Sequence, residues 1–251
     1  MLAMTSYARP SVHACPGCDA FFLRPRLRSV NYYGAVDWSD GTPTMYWHRE
    51  PLARCMACAA LFWLDEIEAV GILPEKPYPI GRLSRAWMRW RGDPQQRLSE
   101  EQEWLRTPDS WKRATTIGSV GFDDVVHVLS RSRQVSPEQL LWLRTRVWWG
   151  LNDRYRTRAD GSPLLDVPSW PRSVERTNME VMLDLLQTHG MQPWSMVRQG
   201  ELLRLLGRFD EAVAVLRAVP ADGHSEIRAA KIERLARGRD AQVRLLSERT
   251  W

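Results

Sequence analysis

Two cysteine pairs, Cys15-Pro16-Gly17-Cys18 and Cys55-Met56-Ala57-Cys58, hold all four cysteines of this 251-residue chain. Each pair is a C-x-x-C, and 36 residues separate them. One such turn brings two thiolates to the same ion, and two turns supply the four sulfurs of a tetrahedral zinc site. Cys15, Cys18, Cys55 and Cys58 are therefore the expected ligands of a structural Zn2+. Four sulfurs close the coordination shell, so catalysis at the metal is not expected. The competing readings are two separate thiol pairs, or a redox C-x-x-C. A redox pair usually opens a helix that lowers its thiol pKa, and neither pair here opens an evident βαβ unit. His13 and His48 lie close enough in sequence to replace a thiolate.

The elements around the cysteines read as β. Phe21-Phe22-Leu23 follows the first pair and Leu61-Phe62-Trp63-Leu64 the second, at matching offsets. Ser29–Gly34 and Thr44–His48 are rich in β-branched and aromatic residues, and Trp38–Pro43 carries turn chemistry between them. Residues 1–73 are expected to form a small β module of three or four strands. Its cysteine framework resembles the zinc-ribbon class. Asp19 and Ala59 stand where a glycine often follows the second cysteine, which counts against rubredoxin-like iron more than against zinc. Pro74, Pro77 and Pro79 mark residues 74–81 as a linker.

Residues 82–251 read as an α-helical domain, so the fold class is α+β and mostly α. Leu83, Ala86, Trp87 and Trp90 share one face of a short helix, and Arg82, Arg85 and Arg89 share another. That segment is either a nucleic-acid contact, with arginine on phosphate and indole on bases, or an amphipathic helix with a solvated basic face. Helices are also expected over Ser99–Arg106, with Ser99 as N-cap, over Phe122–Arg131, over Ser136–Tyr155 and over Val174–Thr188, with Gly190 as its C-cap; Thr115–Gly121 reads as a loop. Leu140, Leu143, Val147, Leu151 and Tyr155 form the core stripe of the long helix, while Trp142 and Trp149 fall on another face. Arg144, Arg146, Arg154, Arg156 and Arg158 gather at its end, as an anion site or as cations favoured by the helix dipole.

Met196, Gly200, Leu203, Gly207, Phe209, Ala212 and Leu216 fall at the offsets of a tetratricopeptide-type hairpin. Residues 194–220 resemble one such repeat, and Gly238–Ala241 echoes its turn. The combination of ribbon, Trp-Trp helix and repeat-like tail resembles a bacterial protein type. Helical repeats of this kind imply a protein or peptide partner, and Trp38, Trp47, Trp87, Trp90, Trp142 and Trp149 are the candidate contacts.

Bulk properties bound the rest. A net charge of +5 and a pI near 9.3 allow an acidic partner, but 30 acidic residues are interleaved with 35 basic ones. Met1–Pro10 has no apolar core of signal-peptide length, and no run approaches a membrane span. A cytoplasmic location without membrane contact is expected. Residue motifs for hydrolases, zinc proteases and phosphate loops are missing. The expected function is a non-enzymatic adaptor, with a nucleic-acid-binding regulator as the first alternative and an enzyme with an unrecognised cleft as the second.

Overall fold

The computed structural model describes residues 6–29, 36–42, 50–77, 94–131, 135–156, 170–188, 192–221 and 223–248. The chain is a mixed α+β protein whose contacts divide into two units. Unit one takes Met1–Asn31 and Trp47–Val120; unit two takes Tyr32–Tyr46 and Gly121–Trp251. This division does not follow the sequence boundary at residues 73–82. Residues up to 120 join the cysteine module, and an excursion out of that module joins the helices.

In unit one, β1 (Ser6–Ala14) pairs antiparallel with β2 (Phe21–Ser29). Strand β6 (Ala69–Ile72) lies antiparallel on the other edge of β1. The two-residue strand β7 (Thr115–Thr116) runs parallel beside Phe22 and Leu23, giving the order β6-β1-β2-β7. A separate hairpin joins β4 (Leu52–Arg54) to β5 (Leu61–Trp63). Pro25 is tolerated inside β2 because the ladder to β1 shifts register between Ala8 and Ser11, and β7 reaches only the start of the strand. Among the described residues the unit also holds a 3-10 turn at Leu64–Glu66 and the α-helices α1 (Pro94–Arg106) and α2 (Asp109–Lys112). Ser99 is interior to α1 and is not its N-cap; the helix opens on Pro94, a residue suited to a first helical position. Thr115–Gly121 is not all loop, since it holds β7 and a bridge between Gly118 and Arg54.

Unit two is built on α3 (Phe122–Arg131), α4 (Pro137–Asn152), α5 (Arg172–Thr188), α6 (Pro193–Leu205), α7 (Phe209–Arg217) and α8 (His224–Arg237). Ser136 caps α4 reciprocally: the Gln139 N–H donates to its Oγ at 3.2 Å, and its own N–H donates to Gln139 Oε1 at 2.9 Å. Leu143, Val147, Leu151 and Trp148 are buried, as the core stripe requires. Tyr155 is not in that core. The chain tightens into a 3-10 turn at Asp153–Tyr155 and leaves this ring exposed.

Helices α6 and α7 form a tight hairpin. A Cβ on Gly200 would sit 2.4 Å from Leu216 Cγ, so glycine is what lets the helices approach. Gly207 takes a φ of 77° in the turn, and the Arg208 N–H closes back on the Leu203 carbonyl at 2.9 Å. Arg239, at φ 52°, repeats that closure after α8, where the Asp240 N–H reaches the Leu235 carbonyl at 3.1 Å. The backbone closure recurs, but on Arg239 rather than on Gly238, whose φ is -75°, and a strand follows it rather than a helix. That strand, β8 (Leu245–Glu248), pairs antiparallel with β3 (Val36–Trp38). The core of the unit gathers Met182, Leu186, Leu202, Ala212, Ile232 and Ala236 from four helices.

Gly200→Ala is expected to destabilise unit two by about 1–3 kcal/mol through overpacking against buried Leu216. Urea unfolding followed by far-UV circular dichroism measures this; an unchanged midpoint would show that the helices can separate at no cost.

Candidate functional site

The two cysteine turns are near copies of each other. In the first, the Cys15 N–H donates to the Ala20 carbonyl and the Asp19 N–H to the Cys15 carbonyl, both at 2.9 Å. In the second, Cys55 with Ala60, and Ala59 with Cys55, repeat both bonds at 2.9 Å. The backbone N–H groups of Gly17 and Ala57 point at the sulfurs of Cys15 and Cys55, at 3.4 and 3.3 Å. Closing these turns requires a left-handed residue after the second cysteine. Asp19 and Ala59 supply it, at φ 57° and 60°, although neither is the glycine that pays least for it.

Facing each other, the turns bring the four sulfurs within 4.8 Å of one another. Cys15 Sγ lies 3.7 Å from Cys58 Sγ, and Cys18 Sγ 3.8 Å from Cys55 Sγ. Those separations are far beyond an S–S bond of about 2.05 Å and close enough for one ion to touch all four. Cys15 and Cys55 are buried against Phe22, Ala53, Phe62 and Leu64, whereas Cys18 and Cys58 face solvent. The thiols also disturb one another. Burial pushes the Cys15 thiol up. The Ala20 N–H draws Cys18 down, but the neighbouring sulfurs, Cys58 first, leave it pushed up to about 12. Burial raises Cys55, yet the N–H groups of Cys58 and Ala57 bring it down to about 7. Four thiolates this close repel one another, and a metal ion held by the four sulfurs would relieve that repulsion.

His13 is buried but lies outside this group. Its ring stacks on Phe22 at 5.4 Å, and its Nε2 shares a hydrogen bond of 2.9 Å with Ser11 Oγ. His48 lies outside the described residues, as do Trp47, Arg82, Arg85, Trp87, Arg89, Trp90 and Arg158.

A second cluster of charge was not foreseen. Within unit two, the segment after β3 is buried among α4, α6 and β8. Asp40, 2% exposed, accepts from Arg156, itself 1% exposed, and from Asn152 Nδ2 at 2.9 Å. Arg156 also donates to Asp153, to Thr42 Oγ1 and to the Trp149 carbonyl. Trp149 Nε1 donates to the Asp40 carbonyl at 3.0 Å. Arg204 grips both oxygens of Glu201 at 2.7 Å and reaches Ser39 Oγ and the Gln242 carbonyl. Arg228 binds Asp37 and the Trp38 carbonyl.

The arginines at the end of α4 are accordingly not one anion site. Arg156 is spent on Asp40 and Asp153, Arg154 pairs with Glu175 at 2.6 Å, and Arg144 donates to Asn178 Oδ1 at 3.2 Å. Of the candidate tryptophans that are described, Trp38, Trp142 and Trp149 are all half-buried. Trp38 lies under the Arg156 guanidinium and Trp142 under that of Arg146. The more exposed indole is Trp194, at 53%, which carried no special spacing in the sequence.

Among the described residues, no helix is long and apolar enough to cross a membrane. Comparison of the chain with protein-family models, with curated proteins and with solved structures finds no match.

Protein purified under reducing conditions is expected to carry about one transition-metal ion per chain. The metal should leave as pH falls, because protons compete for the sulfurs, and release to a chromogenic chelator across pH 8 to 4 records it. Cys15→Ser should make unit one sensitive to protease; unchanged resistance with no bound metal excludes a structural site. Asp40→Ala leaves Arg156 buried without its main partner and is expected to cost about 3–5 kcal/mol in denaturant unfolding.

Proposed function

We propose that this protein is a non-enzymatic adaptor, fastened by one zinc ion, that holds a protein or peptide partner on its helical unit. The observation that carries the reading is the α6–α7 hairpin. Gly200 against Leu216, buried Ala212 and the left-handed Gly207 turn are the contacts that a tetratricopeptide-type pair uses to pack two helices closely. In the first turn of α6, Trp194 stands exposed beside half-buried Arg198, and tryptophan and arginine are among the residue types enriched at interface hot spots.

Zinc fits the cysteine centre: a tetrahedron with Zn–S bonds of about 2.3 Å has S···S edges of about 3.8 Å, and two of the sulfur pairs lie at 3.7 and 3.8 Å. The paired hairpins with facing cysteine turns support a zinc-ribbon assignment for this module. The ion's role is structural, since its fourth position is taken by sulfur.

One observation favours a second reading, a nucleic-acid-binding regulator. Arg24, Arg26 and Arg28 recur along β2, with Arg26 and Arg28 exposed. Arg24 is partly engaged by Asp65 at 3.5 Å. Such a row would contact phosphates without reading bases.

Affinity capture from native lysate at low and high salt, followed by mass spectrometry, separates the two. The adaptor reading expects a discrete protein retained at about 0.3 M salt, whereas phosphate binding falls steeply over that range. Recovery of nucleic acid alone, lost at high salt, replaces the first reading with the second.

A further inference from the structure

Unit two buries or half-buries several arginines, and most are matched to an acid. Arg154 has Glu175, Arg156 has Asp40 and Asp153, Arg204 has Glu201, and Arg228 has Asp37. Arg144 lacks a carboxylate but donates to the Asn178 side chain, which donates back to its carbonyl at 3.1 Å. Arg198 on α6 is different. Among the described residues no carboxylate lies within ion-pair distance of it. Its guanidinium lies over two indoles, 5.3 Å from the centre of Trp194 and 5.9 Å from that of Trp149. Its one hydrogen bond is Nη1 to Thr145 Oγ1 at 3.5 Å, the outer limit of such a contact.

That environment is costly for a cation. Burial, with the nearby Arg228 charge, draws Arg198 down to about 10, against a partial offset from Asp40. Asp40 cannot serve as counter-ion, because its carboxylate is taken by Arg156, Asn152 and Thr42. The two indoles stabilise the positive charge. They accept none of the hydrogen bonds that its N–H donors would make to a planar acceptor in a fork-to-fork pair. Of the two, Trp194 is open to solvent, at 53% exposed.

We propose that Arg198, with Trp194 as its exposed wall, is a docking site for a carboxylate side chain on the partner, and that the partner segment is an acidic peptide with apolar residues beside its acid. This rests on the adaptor reading and gives its partner a chemistry. The carboxylate supplies the counter-charge that no described residue places within ion-pair distance of Arg198, and an apolar neighbour packs on exposed Trp194.

The test titrates purified protein with the acetylated, amidated peptide Glu-Leu-Glu-Leu-Glu and with its glutamine counterpart, by calorimetry at low salt. Wild type is expected to prefer the glutamate peptide by about tenfold or more, the difference made by a charge-assisted pair. Arg198→Gln should abolish the preference, and Trp194→Ala should weaken both peptides severalfold while keeping it. Circular dichroism and the thermal midpoint confirm that each variant is folded. If Arg198→Gln does not fold, Arg198→Lys takes its place; an ammonium cannot form the planar fork, so most of the preference should go. Equal binding by wild type and the Arg198 variant overturns the site, as does wild type that binds neither peptide or both alike. Binding of inorganic phosphate without the glutamate peptide overturns the carboxylate assignment. A lysate partner held equally by wild type and the Arg198 variant leaves the adaptor reading standing and removes this site from it.

Discussion

The desolvated pair between Arg156 and Asp40 is the constraint on which unit two depends. Bringing two opposite charges out of water is expensive, and the cost is recovered only when every remaining donor and acceptor finds a partner. Here the partners come from separate parts of the chain: Asn152 and Asp153 at the end of α4, Thr42 beside Asp40, and the Trp149 carbonyl. Arg204 with Glu201, and Arg228 with Asp37, extend the same solution along α6 and α8. The helices alone would form a bundle with charged residues in its interior. Seven residues from an early excursion, 36–42, draw those charges into one network, in which both terminal nitrogens of Arg156 are paired and its Nε is left without a partner.

Polar networks of this kind specify geometry more than they add stability. Apolar packing around Met182, Leu202 and Ile232 tolerates small slides between helices. A guanidinium bound by two carboxylates and a carbonyl does not. The four clustered sulfurs stand in a comparable place in unit one, where two cysteine turns on two hairpins face each other. Each unit therefore has one polar cluster of its own, cysteine sulfur in one and buried arginine in the other.

What the sequence made legible was local. The matched offsets after each C-x-x-C foretold strands at Phe21 and Leu61, Ser136-Pro137 foretold the start of α4, and the Gly200, Gly207 and Ala212 spacing foretold a close hairpin. These signals span a few residues and carry their own physics. The long-range part was hidden. Asp40 within Ser-Asp-Gly-Thr reads as turn chemistry, and turn chemistry it is; that its carboxylate is also buried under Arg156 depends on residues over a hundred positions away. Strand β1 was missed because Arg9 and Pro10 interrupt its alternation, and β8 because it belongs to a two-stranded pair whose other strand lies in the excursion. Arg198 was one arginine among many until the absence of an acid beside it could be seen in space.

The pairing of β3 with β8 also bears on the order in which the chain can mature. Ser39 and Arg244 bond to each other across 205 residues, whereas the cysteine centre closes over only 43. On a ribosome, both cysteine turns emerge and can take up metal long before residues 245–248 exist. During that interval Asp37 and Asp40 wait for Arg228 and Arg156, and the strand edge at 36–38 has no partner. The cysteine turns are complete early, while the excursion through 36–42 waits first for Asn152 and Arg156, then for Arg204 and Arg228, and then for its strand partner at 245–248.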